Sequence, residues 1–348
     1  MIKNKKVIVG MSGGIDSSVT ALLLKNEGYE VIGVSIKHLS DEFNRNNNKT
    51  CCSLDDINDA KIVCYKLGIP HYVINVEKEF KKEIIKEFIS DYKKGLTPNP
   101  CVICNEKVKI KTLIDMAKNL GFSYVATGHY ARKSEDGYLL YTNYSKDQSY
   151  MLYRLTKEDL DMMLFPLSDM KKSLVREIAK ENGIQTHDKL DSQGICFAPD
   201  GYDKFLKENL NLKKGDFIYK DKVIAQHEGY ALYTIGQRRG LNVKLPHPVF
   251  ITKIDEEKNI IYLGDFEELM VDEVEISDYI FHKKLEDILE KRLFARPRSS
   301  SKGRYGILKQ KNNELIFKYE DKNHENAKGQ HIVFYLNEEL IGGGKILK

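Results

Sequence analysis

Three of the six cysteines in this 348-residue chain have neighbours that suit reactive chemistry. Cys101 and Cys104 form a Cys-x-x-Cys pair after the double-proline loop Thr97–Pro100, which is predicted to present them ahead of a helix. Cys196 lies in the later run Gly194–Phe197. The first residues lack the long apolar core of a secretory leader, so we expect no disulfide framework. The cysteines therefore predict thiol chemistry or metal ligation, for which Cys-x-x-Cys is a known spacing.

A second chemical feature is the glycine- and serine-rich segment Gly10–Ser18, which follows the apolar run Val7–Val9. A buried strand, a loop of glycines and a helix N-terminus together make a cradle of backbone N–H groups for phosphate. The lysine of a Walker A loop and the Gly-x-Gly-x-x-Gly of a dinucleotide site are both missing. The segment resembles instead the PP-loop of enzymes that split ATP between its α- and β-phosphates to adenylate a substrate oxygen. The alternative is a glycine-rich turn with a structural role only.

Within this loop, Asp16, Ser17 and Ser18 are expected in the first helical turn. There they could hold pyrophosphate, and Asp16 could place Mg²⁺ through water. Asp16 could instead be an ordinary carboxylate of a first helical turn. The segment Thr127–Tyr130 resembles the turn on the adenine side of the same fold. The residues predicted to bind ATP are Gly10, Met11, Ser12, Gly13, Gly14, Ile15, Asp16, Ser17, Ser18, Ile36, Gly128 and His129.

The elements that must position these residues follow from the pattern of apolar residues. Strands are predicted at 7–9, 31–36, 72–75 and 124–126, and helices at 17–25, 55–67, 79–93 and 107–120. Such alternation is typical of a doubly wound parallel sheet, whose ligand crevice lies beyond the carboxyl ends of the strands. We expect the turns after Val9, Ile36 and Thr127 to meet there, near a mobile loop at Asn44–Asn48.

The pattern changes after about Pro199, where short β-rich segments are separated by turns. Strands are predicted at 217–219, 230–234, 249–254, 260–263, 316–319 and 332–336, and a turn at 342–344. The chain is thus predicted to contain an α/β nucleotide-binding domain over 1–200, a small central β domain over 201–270 and a C-terminal β-barrel over 271–348.

Several motifs, in the same order, resemble the tRNA-specific 2-thiouridylase family across essentially the whole chain. They are Thr97–Pro100 with its cysteines, Lys146–Tyr150, Gly194–Phe197, Thr234–Leu241 and Gly342–Gly344. The resemblance implies a sulfurtransferase that uses ATP to replace the C2 oxygen of the wobble uridine of tRNA with sulfur. It also implies that ATP adenylates this oxygen and that a sulfur nucleophile then displaces AMP.

In this family scheme Cys104 and Cys196 are the catalytic cysteines. Cys196 would carry a persulfide delivered by a cysteine desulfurase or a sulfur relay protein. Cys104 would either release hydrogen sulfide from it or attack it to leave a Cys104–Cys196 disulfide. Many family members have an acidic residue where this chain has Cys101. The three cysteines could therefore alternatively hold three irons of a [4Fe–4S] cluster whose fourth iron binds sulfide, whereas a structural zinc lacks an evident fourth ligand.

For RNA, the run Lys291–Tyr305 mixes cations, hydroxyls and aromatic rings and is predicted to lie on a turn between strands. Such a surface suits phosphate contacts and base stacking, although a charge run is usually only solvated surface. The net charge of +4 is compatible with a local basic patch. The residues predicted to bind tRNA are Asn99, Pro100, Cys101, Lys146, Asp147, Gln148, Gln237, Arg238, Arg296 and Arg298.

Two other functions stay compatible with the sequence. One is a different PP-loop reaction, such as that of an amide ligase or a tRNA lysidine-forming enzyme, neither of which needs paired thiols. The other is a noncatalytic tRNA-binding or iron–sulfur storage protein that retains the loop. No apolar run has membrane-spanning length, and we expect a cytoplasmic monomer with no membrane partner. Cys64 is predicted to be a buried small hydrophobe, and Cys51 and Cys52 to be accessory or exposed thiols.

Overall fold

A computed structural model describes residues 5–40, 53–142, 146–189, 194–312 and 314–347 of the chain. The predicted loop at Asn44–Asn48, and Cys51 and Cys52, lie outside the described residues. The chain divides into two compact units, one of residues 1–85 and 101–199 and the other of residues 86–100 and 200–348. Among the helices described here, none is long and apolar enough to cross a membrane.

The first unit contains a parallel sheet and a short antiparallel hairpin. Its strands are β1 (Lys6–Gly10), β2 (Glu30–Lys37), β3 (His71–Asn75), β4 (Tyr124–Ala126), β5 (Arg132–Lys133), β6 (Leu139–Leu140) and β7 (Met163–Leu164). The sheet order is β3-β2-β1-β4-β7, every neighbouring pair is parallel, and β5 and β6 form the hairpin. Val7, Ile8 and Val9 of β1 are completely buried, as expected for a strand covered on both faces. The predicted doubly wound parallel sheet is confirmed.

Helices alternate with these strands. They are α1 (Ile15–Asn26), α2 (Leu54–Lys66), α3 (Glu77–Phe80), α4 (Lys86–Lys93), α5 (Pro100–Cys104), α6 (Ile110–Leu120), α7 (Lys157–Met162) and α8 (Lys172–Glu181), with 3-10 turns at Ser149–Leu152 and Gln185–Asp188. Of these helices, α4 belongs to the second unit. π-helical turns at Lys81–Ile85 and Asn105–Lys109 join α3 to α4 and α5 to α6. α1 is the central helix, because Val19, Ala21 and Leu24 lie in one core with residues of β1.

The helix predicted to begin at Lys107, beyond the cysteines, begins at Pro100 instead. Proline fits the first position of a helix because its φ is already helical and its missing N–H would have no partner there. Cys101 and Cys104 therefore lie in the first turns of α5, with Cys101 exposed and Cys104 buried. The prediction that a loop presents both cysteines ahead of the helix is wrong.

The second unit combines a four-stranded sheet with a barrel. Its elements are α9 (Tyr202–Asn209), β8 (Gly215–Tyr219), β9 (Lys222–His227), β10 (Phe250–Asp255), β11 (Ile260–Gly264), β12 (Val271–Phe281), β13 (Arg292–Arg296), β14 (Arg304–Lys311), β15 (Glu314–Asn323), β16 (His331–Leu336), β17 (Glu339–Ile346) and 3-10 turns at Tyr230–Leu232, Phe266–Leu269 and Leu285–Asp287. The sheet order is β10-β11-β8-β9. The barrel order is β12-β15-β14-β13-β16-β17, closed by pairing of β12 with β17. The predicted small β domain and C-terminal barrel are both confirmed.

Two local predictions in this unit are wrong. Residues 230–234, predicted as a strand, include the 3-10 turn Tyr230–Leu232, because a short apolar run does not by itself distinguish strand from turn. Gly342–Gly344, predicted as a turn, lies inside β17. A Cβ on Gly342 would come within 2.3 Å of the carbonyl oxygen of Ile280 in β12. These glycines therefore let the two strands approach closely enough to close the barrel.

Candidate active site

A cleft of about 250 Å³ opens in the first unit where β1, β2 and β4 end. The turns expected to meet at the carboxyl edge of the sheet do meet there, as parallel topology requires. The cleft is lined by Gly10, Met11, Ser12, Asp16, Ser17, Val34, Ile36, Asn105, Lys109, Ile110, Leu113, Thr127, Gly128, His129 and Gln148. Of the residues predicted to bind ATP, Gly13, Gly14, Ile15 and Ser18 are not part of this lining.

The glycine-rich loop is held in place by its own serines. Ser17 Oγ donates to the carbonyl oxygen of Gly14 at 3.0 Å and accepts from the Ser12 N–H at 3.2 Å. Ser18 Oγ donates to the same Gly14 carbonyl at 2.9 Å, and Ser35 Oγ of β2 donates to the Met11 carbonyl at 2.9 Å. Because these contacts fix the loop before a ligand arrives, little ordering remains to be done on binding.

The Thr127–Tyr130 turn lies directly against the first turn of α1. A Cβ on Gly128 would come within 2.9 Å of the backbone carbon and Cβ of Asp16 and of the Ser17 nitrogen. Real Cβ atoms essentially never approach other atoms so closely, so glycine is required for this contact. The glycine thus allows the turn to form a wall of the cleft beside Asp16.

Asp16 is the centre of a charged network at the cleft. Lys172 Nζ donates to its two carboxylate oxygens at 2.7 and 2.8 Å, and the Tyr130 hydroxyl donates to Oδ1 at 2.7 Å. Lys146 Nζ lies 3.5 Å from Oδ2. A magnesium ion bound directly by Asp16 would therefore have to displace Lys172. A contact between Asp16 and Mg²⁺ through water, as predicted from the sequence, stays a prediction.

His129 brings a neutral imidazole to the cleft. Burial, together with the positive charge of Lys109, lowers the pKa of His129 to about 4, and the opposing influence of Asp16 is smaller. Its Nδ1 lies 2.8 Å from Thr127 Oγ1, a hydrogen bond that orients the ring. At neutral pH the side chain is therefore an uncharged hydrogen-bonding group rather than a cation.

The helical turn that follows Cys104 is clamped to the 149–154 segment. Asn105 Nδ2 donates to the Met151 carbonyl at 3.1 Å, and Arg154 Nε donates to Glu106 Oε2 at 2.7 Å. The Arg154 side chain is only 11% exposed, so this ion pair is well shielded from water. Cys104, itself 5% exposed, is thus held on a fixed backbone beside a residue that lines the cleft.

Cys196 is anchored through its neighbour Phe197, which is 1% exposed. The Phe197 ring packs edge-on against Phe80, with centroids 5.9 Å apart. Phe80 in turn packs against His38, the residue that follows β2, with centroids 4.6 Å apart. Cys196 is partly exposed. Its neighbour Phe197 is connected, through packing contacts with Phe80 and then His38, to the carboxyl end of the sheet.

Among the described cysteines, which are Cys64, Cys101, Cys104 and Cys196, none is joined in a disulfide bond. Within the part of the chain that the structure describes, no three or more His, Cys, Asp and Glu side chains are grouped so as to hold a metal ion. The alternative in which Cys101, Cys104 and Cys196 hold an iron–sulfur cluster therefore stays a prediction without support from the described residues. Cys64 has a different character, because burial raises the pKa of its thiol to about 12. Its prediction as a buried small hydrophobe is confirmed.

Three of the residues predicted to bind tRNA lie beside the cleft. Lys146 contacts Asp16 and lies over the Tyr130 ring, 4.8 Å from its centroid. Gln148 lines the cleft, and its Oε1 accepts from the Tyr130 N–H at 2.9 Å. Asp147 caps the next turn by accepting from Ser149 Oγ at 3.0 Å. All three side chains are partly exposed, and they remain predictions for tRNA contact.

The other predicted tRNA contacts lie elsewhere in the fold. Cys101 is exposed on α5, and in the second unit Asn99 is half-buried and Pro100 is buried. Arg238 is exposed, whereas Gln237 is used inside a turn, where its Oε1 accepts from the Thr234 N–H at 3.1 Å.

The basic run at the end of β13 is less open than its composition suggests. Arg296 is 7% exposed and donates to the Ser299 carbonyl, so its burial is at odds with a direct contact to RNA. Arg298 is exposed and forms an ion pair with Glu325. The predicted turn between strands is present, between β13 and β14.

Several cleft residues were not foreseen from the sequence. Asn105, Lys109, Ile110 and Leu113 follow the cysteines at helical spacing and line one wall together. That spacing was a usable signal, since residues three or four apart share a helix face. Lys172 offered no such signal, because its contact with Asp16 joins positions far apart in the chain.

Three family models match successive parts of the chain. They are described as a tRNA methyl transferase HUP domain (residues 5–200), a tRNA methyl transferase PRC-barrel domain (203–265) and an aminomethyltransferase beta-barrel domain (271–346). These descriptions mention methyl transfer, whereas relatives over the whole chain carry a different description. We follow the relatives, because they are similar over almost the entire sequence.

One relative, tRNA-specific 2-thiouridylase MnmA 2 of Fusobacterium nucleatum, is 50% identical over 98% of this chain and 99% of its own. Another, tRNA-specific 2-thiouridylase MnmA 1 of Caldanaerobacter subterraneus, is 42% identical over 99% of this chain and 98% of its own. The chain belongs to the tRNA-specific 2-thiouridylase family. The family resemblance seen in the sequence motifs is thereby confirmed, and the chain is that of an enzyme family.

Among solved structures, the chain resembles a 4-thiouridine synthetase in complex with RNA and ATP, at 16% identity and a TM-score of 0.38. The match covers 59% of this chain and 50% of the other. This likeness is too slight to carry an argument about function.

Proposed function

We propose that this protein is a sulfurtransferase that uses ATP to convert the wobble uridine of tRNA to 2-thiouridine. The observation that carries the proposal is the combination, in one compact unit, of a phosphate-binding loop with two anchored cysteines. The loop is Gly10–Ser18, and the cysteines are Cys104 and Cys196. Membership of the 2-thiouridylase family supports the same activity.

In the first step the uridine C2 oxygen attacks the α-phosphorus of ATP. The bond to the β-phosphate breaks, pyrophosphate leaves, and uridine N3 gives up its proton. The backbone N–H groups of the loop and of the N-terminus of α1 supply donors for the departing phosphates. Lys172 and Lys146 bring two positive charges to the same edge of the cleft, where they balance Asp16. We expect ATP to arrive as its magnesium complex, with no resident ion required on Asp16.

In the second step the outer sulfur of a Cys196 persulfide attacks C2, the C2–O bond breaks and AMP leaves. The Cys104 thiolate then attacks Cys196 Sγ. The sulfur–sulfur bond breaks, and its electrons remain on the sulfur bound to C2, which becomes the thiocarbonyl as N3 regains a proton. A Cys104–Cys196 disulfide is left. A thiol reductant restores both cysteines, and a donor protein bearing a persulfide reloads Cys196.

This version routes no step through an iron–sulfur cluster. Among the described residues no metal-binding group of three or more side chains was found, and the Cys104 side chain is buried, so the persulfide route is the one proposed. The persulfide route uses only two cysteines, Cys104 and Cys196, and gives Cys101 no part in sulfur transfer. We propose Cys101 as part of the surface that meets the target base, and Lys146–Gln148 and Arg238 as tRNA contacts. Asn99 of the second unit stays a predicted tRNA contact, whereas the burial of Pro100 is at odds with a direct contact. A cytoplasmic monomer suits an enzyme that meets both tRNA and a sulfur donor.

The decisive experiment measures AMP, pyrophosphate and 2-thiouridine with purified protein, tRNA, ATP and a persulfide donor. We expect each 2-thiouridine to appear with one AMP, and Cys196→Ser to abolish the thionucleoside. Cys64→Ala is the matched control and should keep the activity, since Cys64 lies in the core. AMP formation with no sulfur incorporation would indicate a different PP-loop reaction. Thiolation that survives Cys196→Ser, or that does not need ATP, would overturn the proposal.

A further inference from the structure

The Lys189 ammonium group joins three parts of the first unit. Its Nζ donates to Asp56 Oδ1 at 2.5 Å and to Asp59 Oδ2 at 2.8 Å, both on α2. It also lies 3.3 Å from the carbonyl oxygen of Gly13 in the glycine-rich loop. Burial lowers the pKa of Lys189, but the hydrogen bonds that Lys189 donates to the two carboxylates, together with their negative charge, outweigh burial and leave that pKa raised. Lys189 is therefore a permanent cation at the back of the loop.

The contact surface beneath Lys189 is rigid. Asp56 forms a capping box with Ser53: its Oδ2 accepts from the Ser53 N–H at 2.9 Å, and its own N–H donates to Ser53 Oγ at 3.1 Å. The backbone of Asp56 also touches the loop, because a Cβ on Gly13 would come within 2.1 Å of the Asp56 carbonyl oxygen. Gly13 has φ +71°, a conformation that suits glycine. The start of α2 and the loop therefore form one packed block.

The backbone of Lys189 is fixed from another side. The Arg176 guanidinium of α8 donates to the His187 carbonyl at 2.6 Å and to the Lys189 carbonyl at 3.2 Å. The same helix begins with Lys172, which holds Asp16. Lys189 is thus tied by its main chain to α8 and by its side chain to α2 and the loop.

The contact with Gly13 has a direct consequence for the loop. A peptide unit is planar and trans, so the N–H of Gly14 points away from the side on which the Gly13 carbonyl meets Lys189. An ammonium group that holds this carbonyl therefore fixes the direction of the next N–H donor. It also polarises the peptide and strengthens that donor, because hydrogen bonds in series reinforce one another.

We propose that Lys189 is a positioning residue for the nucleotide, which orients the Gly13–Gly14 peptide and links the glycine-rich loop to α2. This inference rests on the proposed function, because it assigns the loop to ATP. Lys189 does not line the cleft and acts only through the loop. Replacing Lys189 should therefore weaken the binding of ATP more than the binding of tRNA.

The test compares Lys189→Met with wild type in the thiolation assay, with the KM values for ATP and tRNA measured separately. We expect the KM for ATP to rise about tenfold, the size of effect that follows from losing one charge-assisted hydrogen bond. The KM for tRNA should change less than twofold. Lys189→Arg keeps the charge and the donors, and should recover most of the loss.

Two further variants separate positioning from simple loss of stability. Asp59→Asn leaves the Asp56 capping box intact, and it should shift the KM for ATP in the same direction by a smaller factor. Lys157→Met is the matched control, since the Lys157 side chain is as exposed as that of Lys189 and also forms an ion pair, with Asp161. It should leave both KM values unchanged.

The outcomes are distinct. If wild type forms no AMP with tRNA, the proposed function fails, whatever Lys189 does. If wild type is active and Lys189→Met keeps its KM for ATP, the inference about Lys189 is wrong. It is also wrong if Lys189→Met lowers the melting temperature and kcat but leaves both KM values unchanged, because that is the pattern of a structural residue.

Discussion

The ammonium group of Lys172 lies between the two carboxylate oxygens of Asp16, 2.7 and 2.8 Å from them. Asp16 is at the start of α1 and Lys172 at the start of α8, so two helix N-termini are joined at the cleft. Since both side chains are about one-fifth exposed, the pair is partly shielded from water. Among the described residues that line the cleft, Asp16 is the only acidic one. Its negative charge is therefore balanced by Lys172 within the protein.

Lys172→Met should slow ATP cleavage about tenfold to a hundredfold, because it removes a positioned cation from the site of phosphate departure. The free energy of unfolding should fall by about 1–2 kcal/mol, less than for a fully buried pair. Pyrophosphate release and urea unfolding measure the two effects. Lys171→Met is the control, since it removes the same charge one residue away. An equal loss in both variants would show that net charge, and not the contact with Asp16, is what matters.

Gly128→Ala should separate the Thr127–Tyr130 turn from α1, since the added methyl would lie 2.9 Å from Asp16 and Ser17. We expect a loss of about 1–3 kcal/mol in the free energy of unfolding and a rise in the KM for ATP. Gly121→Ala provides the comparison: it imposes strain at φ +69° but meets no atom within 4 Å. If Gly121→Ala raises the KM for ATP as much, crowding at Asp16 is not the cause.

His129 predicts a pH dependence of stability. Its pKa is lowered to about 4 in the folded protein, against 6.5 for an ordinary histidine. Between these values the unfolded chain binds more protons, so stability rises with pH. Above pH 6.5 the neutral His129 causes no loss of unfolding free energy. The unfolding free energy then decreases as the pH falls toward 4. His129→Gln should flatten the unfolding free energy over this window, measured in urea at several pH values. Parallel curves for the two proteins would contradict the prediction.

Arg154→Met should loosen the turn that follows Cys104, because it leaves the partly buried Glu106 without its partner. We expect a loss of about 2–3 kcal/mol in the free energy of unfolding. Thiolation should also fall more than AMP formation, since the change lies on the cysteine side of the site. Lys118→Met breaks an exposed pair with Glu158 and should lower the free energy of unfolding much less than Arg154→Met does. Equal losses of AMP and 2-thiouridine in Arg154→Met would argue against a specific effect on Cys104.

The repeating patterns of the sequence were sufficient for most of the fold. Val7–Val9, Val31 and Tyr124 mark strands that form the sheet, because apolar runs between amphipathic helices have few other solutions. The wrong predictions of local structure occurred where one residue type is compatible with two kinds of element. Gly342–Gly344 suits a turn equally well, and only the proximity of Ile280 across the barrel explains why glycine is needed inside a strand.

The site residues that are neighbours in the sequence were predicted. Those that reach the site from distant positions in the chain were missed. The loop serines and Asp16 follow one another along the chain, so their grouping could be inferred. Lys172 and Lys189 reach the same loop only because α8 packs near α1, and no sequence pattern encodes that packing. The helical position of Cys101 was missed because Pro100 was interpreted as the end of a loop rather than the first residue of a helix.

Because Cys64 lies in the core, its thiol is unreactive in the folded protein. With no exposed surface and a pKa raised to about 12, it cannot present a thiolate to an alkylating reagent or an oxidant while the protein is folded. Cys64 also fills the space left by Gly33 on β2, where a Cβ would come within 2.5 Å of its sulfur. Its reactivity is therefore a reporter of unfolding. Modification of Cys64 by iodoacetamide would count the molecules whose nucleotide-binding sheet has opened.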